Sequence, residues 1–173
     1  MRYGHSRMQT TQNNLPKRSA TRAALALAGW LLLTFAAAAL GGFSRPGEWF
    51  AALSKPSWNP PGWIFGPVWS ALYTIMAIAA WLVWRRGGFT GQRVALSLFL
   101  LQLFFNALWS PLFFGLHQLA LAFMDIALLW LALLGTVIAF WKVRPLAGAL
   151  LLPYLAWVTF ASALNFAIWQ LNR

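Results

Sequence analysis

Five stretches run without a single Lys or Arg: Ala23–Phe43, Gly62–Trp84, Val94–Leu116, Leu119–Trp141 and Leu146–Trp169. At about 1.5 Å of rise per residue, roughly 20 residues cross the ~30 Å hydrocarbon core of a bilayer, so each stretch is long enough to span it as a helix. The chain has too few charges for the alternative, a water-soluble fold that hides all five. It is 61% apolar and 9% charged, where a soluble domain carries about 25% charged residues. No period-two alternation of the membrane-barrel kind is present, and in lipid only helices and closed barrels satisfy every backbone polar group. The expected fold is therefore an all-α membrane protein, a bundle of five transmembrane helices. Residues 1–21 read as a basic disordered tail, 22–173 as the five-helix transmembrane domain and 44–61 as its one long loop.

The net charge of +11 comes from 13 Lys and Arg against two acids, Glu48 and Asp125. Nucleic-acid binding would need those charges gathered on a basic face. Here they sit between apolar runs, where they set orientation in the bilayer instead. Ten fall on one side: Arg2, Arg7, Lys17, Arg18, Arg22, Arg85, Arg86, Arg93, Lys142 and Arg144. Three fall on the other: Arg45, Lys55 and Arg173. The positive-inside rule then predicts a cytoplasmic N-terminus and an outer C-terminus, and favours an inner membrane if the source is bacterial. With no cysteine and two histidines, His5 and His117, expected in solvent, the chain offers no metal cluster and no thiol nucleophile.

The chemistry must then lie in aromatic and amide side chains. There are 12 tryptophans, more than interfacial belts require. The long loop carries Trp49, Phe50, Trp58 and Pro60 and ends in Asn59-Pro60-Pro61-Gly62. It reads either as a rigid start to the second helix, with Asn59 as its cap, or as a stiff lid over the bundle mouth. Within the spans, Trp69, Tyr73 and Met76 share one helical face. So do Gln102, Asn106 and Trp109, and so do Tyr154, Trp157, Ala161 and Asn165. These stripes are either interhelical glue or the walls of one aromatic pocket with a few polar anchors. Asp125, the one charge inside a span, lies roughly 7 Å from its helix centre. An interhelical hydrogen bond is expected there rather than proton coupling, because no other span offers an acid, His, Lys or Arg. Pro67, Pro111 and Pro153 are expected to kink three helices, and Gly62-x-x-x-Gly66 is a weak signal for close helix approach.

Taken together, these stretches resemble the translocator protein family, also called tryptophan-rich sensory proteins (TspO/MBR) or peripheral-type benzodiazepine receptors. The resemblance rests on Lys55-Pro56-x-Trp58-x-Pro60-Pro61, Pro67-Val68-Trp69, Asn106-x-x-Trp109-x-Pro111-x-Phe113-Phe114-Gly115, Asp125, Pro153-Tyr154-Leu155-Ala156-Trp157 and Leu164-Asn165-Phe166. It covers about residues 22–172. It implies a homodimer that binds porphyrins, such as protoporphyrin IX or heme, and other hydrophobic ligands beneath a closing first loop. By position it places Trp69 and Trp157 as pocket tryptophans, Phe50 and Pro60 on the lid, and Asn106, Trp109 and Ala161 along the wall, with Asn106 as the polar anchor. The sterol-recognition segment proposed for animal members needs a Tyr before its basic residue. Here Phe166 and Trp169 precede Arg173 instead, so a porphyrin is preferred over a sterol.

Three uses of such a chain are distinguishable. The preferred one is a membrane protein that binds tetrapyrroles for transport or sensing, with no cofactor required. The second is a light-dependent porphyrin-degrading enzyme in which Trp69 and Trp157 pass or quench electrons. The third is a small ion-coupled transporter, for which Asp125 alone is available.

Overall fold

The structure is a computed structural model that describes residues 18–44 and 46–173. Most of the basic tail expected at 1–21, with His5, lies outside the described residues. Five spans cross the length of the molecule. The first is α1 (Arg18–Gly42), which starts five residues before the expected Ala23 because Arg18–Arg22 continue its helical turns. The second is a 3-10 turn (Gly62–Ile64) running into α3 (Phe65–Trp84). The third is α5 (Arg93–Ser110), completed by a wide turn at Pro111–Gly115. The fourth is α6 (Leu119–Val143), and the fifth is split into α7 (Pro145–Leu150) and α8 (Leu152–Leu171). Two short helices lie outside the spans, α2 (Glu48–Ala52) in the long loop and α4 (Gly88–Gly91). The chain is thus a multi-pass, all-helical membrane protein.

The helices pack as a ring. α5 lies most extensively against α6, α1 touches α3 and α5, α6 continues to α8, and α7 wedges between α6 and α3. The order around the bundle is therefore first, second, fifth, fourth, third span. The core between them is apolar, with Met76, Val83, Leu96, Phe99, Leu133, Phe140 and Tyr154 removed from solvent. Outward faces are apolar too. Leu25, Leu32, Phe104, Met124 and Leu131 are all exposed, as a lipid-facing surface requires.

The three prolines act differently from one another. Pro67 and Pro153 fall in the first turns of α3 and α8, where a missing N–H leaves no helical bond unmade. Pro111 lies within a span, and there the ladder widens. The Leu116 amide donates to the Pro111 carbonyl, five residues back, at 2.8 Å. This single π-type turn follows the proline and shifts the register of the residues after it. The Gly62 and Gly66 positions have open space where a side chain would stand, so this pair makes no close helix contact. The tight approach is elsewhere, at Gly148, where a Cβ would fall 2.9 Å from the Trp141 Cα.

Candidate functional site

The long loop folds back over one end of the bundle. Its helix α2 presents Trp49 and Phe50 to the wide turn at the end of α5. Trp49 meets Phe113 edge-on at 6.2 Å, and Phe50 meets Phe113 and Phe114 at 6.0 and 5.3 Å. Widening the ladder at Pro111 re-aims these two phenylalanines, so the proline shapes what the loop rests on. His117 follows in a left-handed conformation (φ 58°). Its ring stacks on Trp49 at 4.0 Å, with planes 16° apart. It is exposed as expected, but it is also a contact of the lid.

Polar contacts hold the loop at three places. Ser110 Oγ lies 2.7 Å from the Gly41 carbonyl and 2.9 Å from that of Ser44, tying the end of α5 to the end of α1. The Lys55 ammonium donates to the Ala51 and Leu53 carbonyls at 3.1 and 3.0 Å and sits 4.7 Å over the Phe50 ring. At the far end, the Ser54 amide donates to Asn172 Oδ1 at 2.9 Å, and Asn172 Nδ2 donates back to the Ser54 carbonyl at 2.9 Å. Asn59 is not the cap of the second helix. The residue before the 3-10 turn is Pro61, without a side-chain bond, and Asn59 Nδ2 instead donates to the Pro60 carbonyl at 3.1 Å.

Beneath the loop, the stripes on α3, α5 and α8 face one another. The Tyr73 hydroxyl donates to Asn106 Oδ1. Asn106 Nδ2 donates to the Tyr154 oxygen at 2.8 Å, and the Tyr154 hydroxyl donates to Gln102 Oε1 at 3.0 Å. Three helices are thus joined through Asn106, which has both amide ends engaged within the protein. Nearer the lid, the Trp109 indole donates to Asn165 Oδ1 at 3.0 Å, and Asn165 Nδ2 donates to the Leu119 carbonyl at 3.1 Å, adding α6 to the network.

An aromatic run leads from this network to the lid. Trp69 lies 5.5 Å from Tyr73 and meets Trp157 edge-on at 6.5 Å. Trp157 continues to Phe65 at 5.9 Å and Phe160 at 5.6 Å, and Phe160 meets the half-exposed Trp58 of the loop at 5.8 Å. The Trp157 indole N–H is buried and has no partner among the described residues. A cavity of about 40 Å³ opens beside the run, lined by Phe50, Phe65, Trp109, Phe113, Ala161 and Asn165, among others. It is water-sized, whereas sites for drug-sized ligands hold about 300–1,000 Å³, so the loop is closed in this conformation.

The expected site residues divide as follows. Phe50, Trp109, Ala161 and Asn165 line the cavity. Trp58, Trp69, Tyr73 and Trp157 form the adjoining run. Trp49 and Pro60 belong to the closed loop, and Asn106 lies in the core behind it. Asp125 stands apart. It is buried on α6, outside the cavity lining, and both its carboxylate oxygens lack a partner among the described residues, so the expected interhelical hydrogen bond is not made there. Its own helix faces Asn165 with the Leu119 carbonyl, one and a half turns earlier, and the amide is already committed there. Phe65 and Ile168 were not among the expected residues. The signal was available, since Phe65 is four residues before Trp69 and Ile168 three after Asn165, extending the same faces.

The fold and this arrangement define a class: a helical multi-pass membrane protein with a lidded aromatic cleft between its spans. The chain belongs to the TspO/MBR family, whose family model matches residues 30–170. It is 43% identical over 140 residues to the protein CrtK of Rhodobacter capsulatus, covering 79% of this chain and 86% of that one. It is 46% identical over 128 residues to the human translocator protein, covering 73% and 76% of the two chains. The tryptophan-rich sensory protein of Cereibacter sphaeroides is 42% identical over 147 residues, covering 82% and 91%.

Proposed function

We propose that this membrane protein binds a porphyrin, or a planar hydrophobic molecule like it, between the lid and the aromatic run on α3 and α8, and that binding serves transport or sensing. The observation that carries the reading is the run itself. Trp69, Trp157, Phe160 and Trp58 form a continuous series of ring contacts that reaches the lid and adjoins the cavity. Each aromatic contact with a stacked macrocycle contributes about 0.5–1.5 kcal/mol beyond area burial. The unpartnered Trp157 N–H supplies a directed donor, and an acceptor on the ligand would relieve the cost of burying it. Lys55 is a cation on the lid placed to meet a propionate. Because the closed cavity holds only about 40 Å³, entry requires the lid to move. We extend this reading to a homodimer and, from the count of ten cations against three, to a cytoplasmic N-terminus in a bacterial inner membrane.

Titration of the purified protein with protoporphyrin, followed by tryptophan fluorescence, tests the site. Saturable quenching that weakens by about tenfold or more in Trp69→Phe/Trp157→Phe supports it. Equal quenching in the native chain, the variant and an unrelated tryptophan-rich membrane protein refutes it.

One observation favours a second reading, light-dependent breakdown of the bound porphyrin. The Trp69 and Trp157 rings, 6.5 Å apart and perpendicular, are close enough to pass or quench an electron next to an excited macrocycle. Binding in the dark without loss of porphyrin under illumination eliminates this reading. For ion-coupled transport, Asp125→Asn with unchanged uptake and unchanged pH dependence eliminates proton coupling.

A further inference from the structure

The end of the bundle opposite the lid carries a second concave feature. α6 finishes there, and Val137, Ile138, Trp141 and Lys142 form a groove of about 260 Å³ on its outer face. These residues lie at i, i+1, i+4 and i+5, so they make one helical stripe. The groove is apolar along its floor and ends at an exposed ammonium in the last turn of α6. Its aromatic wall is held from behind. Gly148 of α7 is buried against Trp141 so closely that a Cβ there would fall 2.7 Å from the ring and 2.9 Å from the backbone. Trp141 nevertheless keeps 45% of its surface exposed. The ring is therefore fixed on its protein side and open on its lipid side.

Charge says what fits it. Arg22, Arg85, Arg86, Arg93, Lys142 and Arg144 all lie at this end, between or beside the ends of α1, α3, α5, α6 and α7. The chain's two acids are both elsewhere. Glu48 opens α2 in the lid, and Asp125 lies in the lid-side half of α6. No carboxylate of the protein is available to Lys142, so its counter-charge has to come from the surroundings. An apolar trough at bilayer depth, walled by an indole and ending at unneutralised cations, matches an amphiphile with an acyl chain and an anionic head. Tryptophan takes the interfacial level in such an arrangement, and basic residues between or beside helix ends recognise anionic head groups.

We propose that the α6 groove is a binding site for an anionic phospholipid, its acyl chain along Val137 and Ile138 against Trp141 and its phosphate at Lys142. The site is separate from the lidded cleft and does not depend on what occupies that cleft. It requires only that the basic end of the bundle meets a leaflet containing anionic lipid.

Brominated lipids test it, because bromine on an acyl chain quenches tryptophan on contact. The full chain is reconstituted in phosphatidylcholine vesicles with increasing fractions of brominated phosphatidylglycerol or brominated phosphatidylcholine. The contribution of Trp141 is the difference between the native chain and Trp141→Phe. The expected result is local enrichment of the anionic lipid at Trp141 by about fivefold over its bulk fraction, the ratio that about 1 kcal/mol per basic residue yields. Lys142→Gln, a substitution at an exposed position, should remove most of that preference. Equal quenching by both lipids overturns the proposal by making the groove ordinary lipid contact. No quenching of Trp141 by either lipid overturns it in favour of a second copy of the chain covering the groove. A preference that survives Lys142→Gln but disappears in Arg85→Gln/Arg86→Gln overturns the groove assignment in favour of a diffuse basic belt.

Discussion

Two side chains beneath the lid, Asn106 and Trp157, illustrate how differently a buried polar group can be used. Asn106 joins Tyr73 and Tyr154 and leaves no amide end free. Truncating it would strand the buried Tyr73 hydroxyl, at about 1–3 kcal/mol for an unsatisfied group, and remove one bond from Tyr154, which keeps Gln102. Asn106→Ala should therefore lower the thermal midpoint in detergent by several degrees, with porphyrin binding weakened only through the loss of order. Trp157 is the converse case. Its indole N–H already lacks a partner, so Trp157→Phe removes a buried donor that contributes nothing to the closed state. The predicted outcome is a thermal midpoint changed by no more than a degree or two, together with porphyrin affinity reduced about tenfold, read by the same two assays. A Trp157→Phe protein that melts early and binds normally would reverse the roles assigned to the two residues.

Among the elements, the lid and the wide turn after Ser110 decide access. Asn172 pairs with both backbone groups of Ser54, and each such bond is worth about 0.5–1.5 kcal/mol net. Asn172→Ala should therefore raise hydrogen exchange across residues 48–58 and speed porphyrin association by roughly tenfold, with little change in the stability of the spans. Exchange unaltered by the substitution would mean that the closed lid is held by its aromatic contacts alone. Much at this scale was legible in the sequence. Spans free of Lys and Arg mark the helices, and the spacing of Tyr154, Trp157, Ala161 and Asn165 gives the inward face of α8, because side chains three and four apart must share a side. What spacing could not give is rotation between helices. Asp125 was expected to find a partner and has none among the described residues, where the amide of Asn165 is already satisfied by Trp109 and the Leu119 carbonyl. The inward turn of Phe113 and Phe114 likewise depends on a backbone register shift at Pro111, which no side-chain periodicity announces.

For the whole molecule, the fold places the lidded cleft at one end and the basic groove at the other, so orientation decides which compartment each meets. The count of ten cations against three predicts that the groove meets the cytoplasm and the cleft the outside. Reporter fusions at both termini should give a cytoplasmic N-terminus and an external C-terminus; the opposite pattern would exchange the two compartments. Entry of the ligand beneath the lid can be tested directly, because the chain has no cysteine. With Ser54→Cys and Asn172→Cys joined by a short thiol cross-linker, the lid is fastened to the end of α8. The cross-linked protein should lose saturable quenching by protoporphyrin, while the same double variant without cross-linker should bind at least as well as the native chain. Undiminished affinity in the cross-linked protein would mean that the ligand does not enter beneath the lid and would place it on an outer face of the bundle.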